Sequence, residues 1–258
     1  MKNPLQLSVF ALPLLVSTPS AGAATVYTAS SFTNSLGAST GHNISNINWT
    51  ADFGTSSSIT SGVPGSGNYR MGVFDGTSAS ASGFTVEDYI YVQKWGVTNG
   101  ATLDTDAMLR TTSLTPFAPS AYTSLTASWH RNGNSAASIR FMIQTGGVWY
   151  IADTPTNGTG NGTVSFPAPS FDILASNWTT LGTNVSIGDT SGISYSTLFG
   201  AGQTITGVGL YIDNLDVNAT DGLTTTRFDN LTIEGVPEAT TALLGMMGMP
   251  LLCLRRRK

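Results

Sequence analysis

The sequence predicts an all-β fold: an antiparallel sandwich of two sheets, with a length that suits a jelly roll. Three observations carry that expectation. Apolar and polar residues alternate with period 2 in one segment after another. Gly, Ser, Thr and Asn dominate the body and only 10% of residues are charged, so the Ala/Leu/Glu/Lys windows of long helices are missing. Glycine-rich and polar runs punctuate the alternating segments at short intervals.

Tyr69–Phe74, Phe84–Lys94 and Ala107–Thr112 read as early strands. In Ser124–His130, Leu125, Ala127 and Trp129 share one face. Ile139, Phe141 and Ile143 alternate with Arg140, Met142 and Gln144. Gly146-Gly147 then separates this run from Val148-Trp149-Tyr150-Ile151, a strong hairpin signal. Val208, Leu210 and Ile212 mark another strand, and Thr224 to Glu234 the last. Thr154–Gly162 and Asp216–Gly222 read as loops. No repeat or linker divides the span 24–235, which is expected to form one β-sandwich domain.

The two ends read as export signals. Lys2, an apolar run from Leu5 to Val16 and Ala21-Gly22-Ala23 have the order of a secretory signal peptide, residues 1–23. At the other end, Val236-Pro237-Glu238-Ala239 leads into an apolar stretch that stops at Arg255-Arg256-Arg257-Lys258. A helix from Ala239 to Leu254 would span roughly 24 Å at ~1.5 Å per residue, a little short of a hydrocarbon core of ~30 Å. The terminal cations favour the cytoplasmic side.

This tail, residues 236–258, resembles the PEP-CTERM sorting signal of Gram-negative, exopolysaccharide-producing bacteria. In that signal a Pro-Glu-Pro core, a transmembrane stretch and an Arg-rich end follow one another. Here Ala239 replaces the second proline, and Val236, Pro237 and Glu238 form the motif. The resemblance implies an exosortase-type processing enzyme as partner and membrane contact through the tail before processing. It also implies delivery to the cell envelope, outer surface or extracellular matrix. An unprocessed C-terminal anchor is the plainer alternative.

Between Ala24 and Gly235, six basic residues face fourteen acidic ones, a net charge of −8. No basic stripe exists, which argues against a nucleic-acid partner. The lone cysteine, Cys253, lies in the tail, so the body contains no disulfide.

Catalytic patterns are absent from the sequence. Sugar hydrolysis usually needs two carboxylates flanking the bond. Glu87 and Asp88 are adjacent and would point to opposite faces of a strand, while Asp104 and Asp106 read as a turn. His42 and His130 are the two histidines, and neither sits in a nucleophile or metalloprotease motif. The expectation is therefore a protein without enzymatic activity.

Asp213, Asp216, Asn218 and Asp221 lie close together and read as a solvated hairpin tip rather than a calcium loop. Strict alternation places Asp229 on one face with Leu231 and Ile233. Either a carboxylate is half-buried there or a bulge breaks the strand; Arg227, backbone amides or Ca²⁺ could partner it. Trp149 and Tyr150 are neighbours on one strand, so one faces inward and one outward. Trp178 sits in a polar stretch and is expected to be exposed.

The hairpin Ser138–Tyr150 looks like one found in secreted bacterial jelly-roll domains. Ile205–Ile212 and Arg227–Ile233 are similar to the closing strands of carbohydrate-binding modules with a galactose-binding-like fold; the local pattern equally fits a concanavalin-like sandwich. That resemblance implies polysaccharide binding, with Trp149, Tyr150 and Trp178 as candidate sugar contacts, and structural Ca²⁺ at Asp229. The rivals are a structural matrix protein without a specific ligand and a divergent polysaccharide hydrolase or lyase.

Overall fold

The computed structural model describes residues 22–29, 39–42, 44–53, 60–61, 69–75, 89–94, 106–133, 138–156, 170–182, 187, 192–200, 202–213 and 224–238. Ala23–Pro237 forms one compact unit. Its strands, in chain order, begin with β1 (Ala24–Ala29), β2 (Ser39–His42), β3 (Thr50–Phe53), β4 (Thr60–Ser61) and β5 (Tyr69–Asp75). Next come β6 (Tyr89–Lys94), β7 (Ala107–Thr111), β8 (Tyr122–Gly133), β9 (Ser138–Thr145) and β10 (Val148–Ala152). The last are β11 (Phe171–Asp172), β12 (Asn177–Thr180), β13 (Ile193–Ser194), β14 (Gly207–Asp213) and β15 (Thr224–Pro237).

Among the described residues these strands make two sheets. An eight-stranded sheet runs β11-β8-β15-β6-β5-β2, with β1 beside β15 and β4 beside β5. A seven-stranded sheet runs β13-β12-β10-β9-β14-β7-β3. All pairs are antiparallel except β4 with β5. The chain passes repeatedly between the sheets, and the fold is the antiparallel β-sandwich that the alternation predicts. The single described α-helix, α1 (Tyr195–Leu198), is one turn capped by Ser194, whose hydroxyl accepts from the Thr197 amide. Among the described residues no helix is long and apolar enough to cross a membrane.

The inner faces follow period 2. Leu125, Ala127 and Trp129 of β8 meet Ile139, Phe141 and Ile143 of β9 and Val208, Leu210 and Ile212 of β14. Four aromatic rings run back and forth between the layers. Trp129 stacks on Phe141 with centroids 6.0 Å apart, Phe141 meets Phe171 at 5.6 Å, and Phe171 meets Trp178 edge-on at 6.0 Å. Trp129 and Phe171 belong to one sheet, Phe141 and Trp178 to the other, so these contacts hold the layers together. Each such pair adds roughly 0.5–1.5 kcal/mol beyond the burial of its area.

Gly146 and Gly147 join β9 to β10 with φ of 57° and 79°. Positive φ at both central residues is the requirement of a two-residue type I′ hairpin, which glycine meets without steric cost.

In β15 a bulge resolves the Asp229 alternatives. Asp229 pairs with His130 but Thr232 pairs with Ser128, so β15 carries one extra residue. Asn230 absorbs it at φ 52°. The inserted residue shifts the alternation, and Phe228, Leu231 and Ile233 all reach the core.

The signal-peptide segment up to residue 21, the hydrophobic segment 239–254 and the basic stop Arg255, Arg256, Arg257 and Lys258 lie outside the described residues. So do Glu87, Asp88, Asp104, Asp216, Asn218 and Asp221. Val236 and Pro237 are the last residues of β15, paired with Ser124 and Tyr122 of β8, and exposed Glu238 follows them.

Candidate functional site

Half the surface of a sandwich sheet faces outward and is ordinarily polar. The outer face of the seven-stranded sheet departs from this. Met108, Met142, Ile151 and Tyr211 form a second buried apolar cluster there, with Trp149 and Leu181 packed against it. The residues come from β7, β9, β10 and β14, each at an outward position of its strand.

Alternation separates the paired aromatics of β10. Tyr150 packs against the inner core, whereas Trp149 lies on the outer cluster and is partly exposed. A side chain turned to the interior offers no ring face to a sugar, so Tyr150 is corrected from a candidate contact to a packing residue. Trp178 is corrected as well. It is fully buried on β12, facing Phe171, because Asn177–Thr180 is a strand and not the open polar stretch its neighbours suggested.

Trp149 is positioned by glycine. Cross-strand pairing places Trp149 opposite Gln144, and Gln144 opposite Gly207. A Cβ at Gly207 would come within 2.8 Å of Trp149 Cη2, so the indole lies where that side chain would stand. The guanidinium of Arg110 sits over the indole, 5.5 Å from its centroid, a cation–π contact. Asp52 of β3 accepts from Arg110 Nη2 at 2.9 Å. Beside the ring, Thr206 Oγ1 donates to Gln144 Oε1 at 3.0 Å.

An open notch of about 400 Å³ lies at the hairpin end, lined among the described residues by Thr145, Gly146, Gly202, Gln203 and Thr204. Thr145, itself buried, donates to Gln203 Oε1 at 2.8 Å. Platform and notch share the same two segments, 144–149 and 203–207, zipped together by the Thr206 amide donating to the Gln144 carbonyl at 2.9 Å.

At the other end of this face Tyr211 donates to Asp106 at 2.5 Å. Burial, then the Asp106 bond and the nearby carboxylates, drive the Tyr211 phenol far above the ordinary tyrosine value, so it keeps its proton and makes a poor general base. Arg140 donates to the Ala152 and Asp153 carbonyls and pairs with Asp213 at 3.9 Å. Asp153 in turn accepts from Thr179 and from the Gly192 amide. These groups are tied to one another and hold the strand ends.

Asp229 is buried, and its two carboxylate oxygens accept from the amide and side-chain nitrogens of Asn230 at 2.7 and 3.1 Å. The bulge thus gives the carboxylate partners within the strand. Among the described residues no group of three or more His, Cys, Asp or Glu side chains converges to hold a metal ion.

No protein-family model and no curated protein matches the chain. Among solved structures it is similar to a family 11 carbohydrate-binding module from Clostridium thermocellum, solved in complex with a β-1,3-1,4-mixed-linked tetrasaccharide. The two are 16% identical with a TM-score of 0.36 over 74% of this chain and 91% of that one. It is also similar to the K1 cleaved adhesin domain of Lys-gingipain from Porphyromonas gingivalis W83, at 12% identity and a TM-score of 0.26, over 72% of this chain and 96% of that one. Likeness of this degree identifies no ligand for this chain.

Sequence reasoning reached Trp149 but not its surroundings. Arg110, Asp52, Gln144, Gln203 and Thr206 come from four separate regions of the chain, and only strand pairing brings them together. The signals within reach were the outward position of Gln144 and the Gly-Val-Gly run at 207–209, which interrupts an apolar strand with small residues.

Proposed function

We propose that this chain is an exported, non-catalytic polysaccharide-binding module of the cell surface or extracellular matrix. Its tail, from Val236, Pro237 and Glu238 to the terminal basic residues, would be read by an exosortase-type enzyme. One observation carries the binding reading: the indole of Trp149 lies over Gly207 on the outer face of a rigid sheet, ringed by Arg110, Asp52, Gln144 and Thr206. An apolar surface with a few fixed donors and acceptors is what a sugar ring requires, since its C–H face is apolar and its rim is hydroxylated.

The test is retention of the full-length chain on insoluble polysaccharides. Trp149→Ala should abolish retention while the thermal transition survives. Undiminished retention by that variant would move the site elsewhere, and no retention on any polysaccharide by the wild type would leave a structural matrix protein. Export is tested separately: Glu238→Ala should leave an unprocessed precursor in the membrane fraction if the tail is a sorting signal.

A further inference from the structure

The Val236-Pro237-Glu238 motif is not carried on a linker. β15 runs through Gly235 to Pro237, so two of the three motif residues, Val236 and Pro237, are strand residues. Glu238 alone separates that strand from the apolar stretch that begins at Ala239. An enzyme that reads Pro237 and Glu238 must therefore engage a residue of the sheet.

The attachment has a fixed part and a loose part. At Gly235 the strand is paired on both sides, with Ala24 of β1 and with Leu125 of β8. The Tyr122 ring lies against Gly235, where a Cβ would run into it, and meets Phe117 edge-on at 6.4 Å. β1 begins at Ala24, so among the described residues β8 alone pairs with the strand beyond Gly235. There Val236 stands opposite Ser124 and Pro237 opposite Tyr122, with a register shift between the two. Pro237 brings no N–H to that pairing. Thr123 Oγ1 donates to the Val236 carbonyl at 3.1 Å. Gly235 is thus anchored, while residues 236–237 form a flap held by the Thr123 hydroxyl and an irregular pairing.

Cleaving and transpeptidating enzymes take extended, unpaired backbone, which a strand in a sheet offers only when it opens locally. We propose that the folded body latches its own sorting motif: β8 holds Val236 and Pro237 closed, and the processing enzyme receives the motif only when those two residues peel away from Thr123. The inference rests on the sorting reading above and adds its regulation. Processing then follows the population of the opened end. The latch opens without loss of the core, because Gly235 stays fixed and Val236 and Pro237 are only half-buried, outside the core cluster.

The experiment is a pulse-chase of the full-length chain in exosortase-bearing cells, following conversion of the membrane-bound precursor to its processed form. Thr123→Val keeps the side-chain shape, removes the hydroxyl and should speed conversion about two- to tenfold. A short Gly-Ser spacer inserted between Gly235 and Val236 carries the intact motif off the sheet and should speed it at least as much. Thr28→Val removes a hydroxyl contact with Thr232 on the same sheet, away from the motif, and should leave the rate unchanged. Equal acceleration by Thr28→Val would trace the effect to general stability and overturn the latch. One common rate in wild type, Thr123→Val and the spacer variant would overturn it too, while leaving the sorting reading intact. So would slower processing of the spacer variant, since the enzyme would then need the docked strand. A precursor that persists in every variant, the spacer form included, would defeat both the latch and the sorting reading.

Discussion

Trp149 stands on β10 and Gly207 on β14, two strands away, yet the indole edge occupies the space that a Gly207 side chain would fill. Gln144 of β9 lies between them in the pairing, and its own Cβ is only 3.0 Å from the same point. The floor of the platform is therefore defined by a missing side chain. Gly207→Ala should lift or tilt the indole, at an overpacking cost of about 1–3 kcal/mol. Tryptophan fluorescence should shift, and retention on polysaccharide should fall with it. A variant that keeps both the emission and the binding of the wild type would show that the ring does not need this floor.

Trp178 and Trp149 should separate cleanly on substitution. Trp178 is fully buried between the layers, so Trp178→Ala opens a large cavity and should cost about 3–5 kcal/mol in denaturant unfolding. Trp149 is partly exposed on the outer face, and Trp149→Ala should cost far less stability while removing binding. The reverse ranking would mean that the two indoles have been assigned to the wrong surfaces.

Much of this arrangement was legible because period 2 is enforced by burial. Ala107–Thr112, Ser124–His130, the Gly146-Gly147 hairpin, Val208–Ile212 and the final strand all stand where alternation placed them. Short strands were not legible. β11 and β13 have two residues each, and β12 reads Asn-Trp-Thr-Thr, too brief and polar to reveal that its tryptophan points inward. The site was half legible for a related reason. A strand's own pattern says which residues face out, but not which strands lie beside it, and Arg110 meets Trp149 only through sheet order.

The bulge at Asp229 predicts a stability effect without a metal dependence. Asp229→Ala deprives the Asn230 amide of its acceptor in a buried setting, which should cost about 1–3 kcal/mol. Asn230→Gly keeps the positive φ but removes the Nδ2 donor to the buried carboxylate and should cost about 1–3 kcal/mol, whereas Asn230→Val adds backbone strain to the same loss and should cost more. Because both carboxylate oxygens already accept from Asn230, EDTA should leave the thermal midpoint unchanged. A fall in the midpoint on chelation, absent in Asp229→Ala, would restore Asp229 as a calcium ligand.

Gly235 and Tyr122 make a second glycine-dependent contact, near the end of β15. A Cβ at Gly235 would approach the Tyr122 ring to 2.4 Å, closer than side chains come. Tyr122 packs on the core, so the ring has little room to yield. Gly235→Ala should lower stability by about 1–3 kcal/mol through overpacking. Tyr122→Ala in the same chain should relieve the clash, so a double-mutant cycle should show coupling. Additive effects of the two changes would place the ring elsewhere.

Tyr27 makes the stability of the body sensitive to alkali. It lies on β1 and packs against the core, and burial pushes its phenol up from 10.0 to about 12. Between those values the unfolded chain has released the proton while the folded chain still holds it. Rising pH therefore favours the unfolded state: the Tyr27 contribution is complete below about pH 10 and is lost as pH rises through about 12. Tyr211 is shifted in the same direction, so two such groups stand among the described residues. Tyr27→Phe has no proton to lose at this position, and its thermal midpoint should decline less steeply above pH 10 than that of the wild type. Phenolate absorbance of the folded protein should likewise show tyrosines that titrate late. If Tyr27→Phe and wild type lost stability in parallel across this range, Tyr27 would be titrating as a solvated phenol, and its packing against the core from β1 would be wrong.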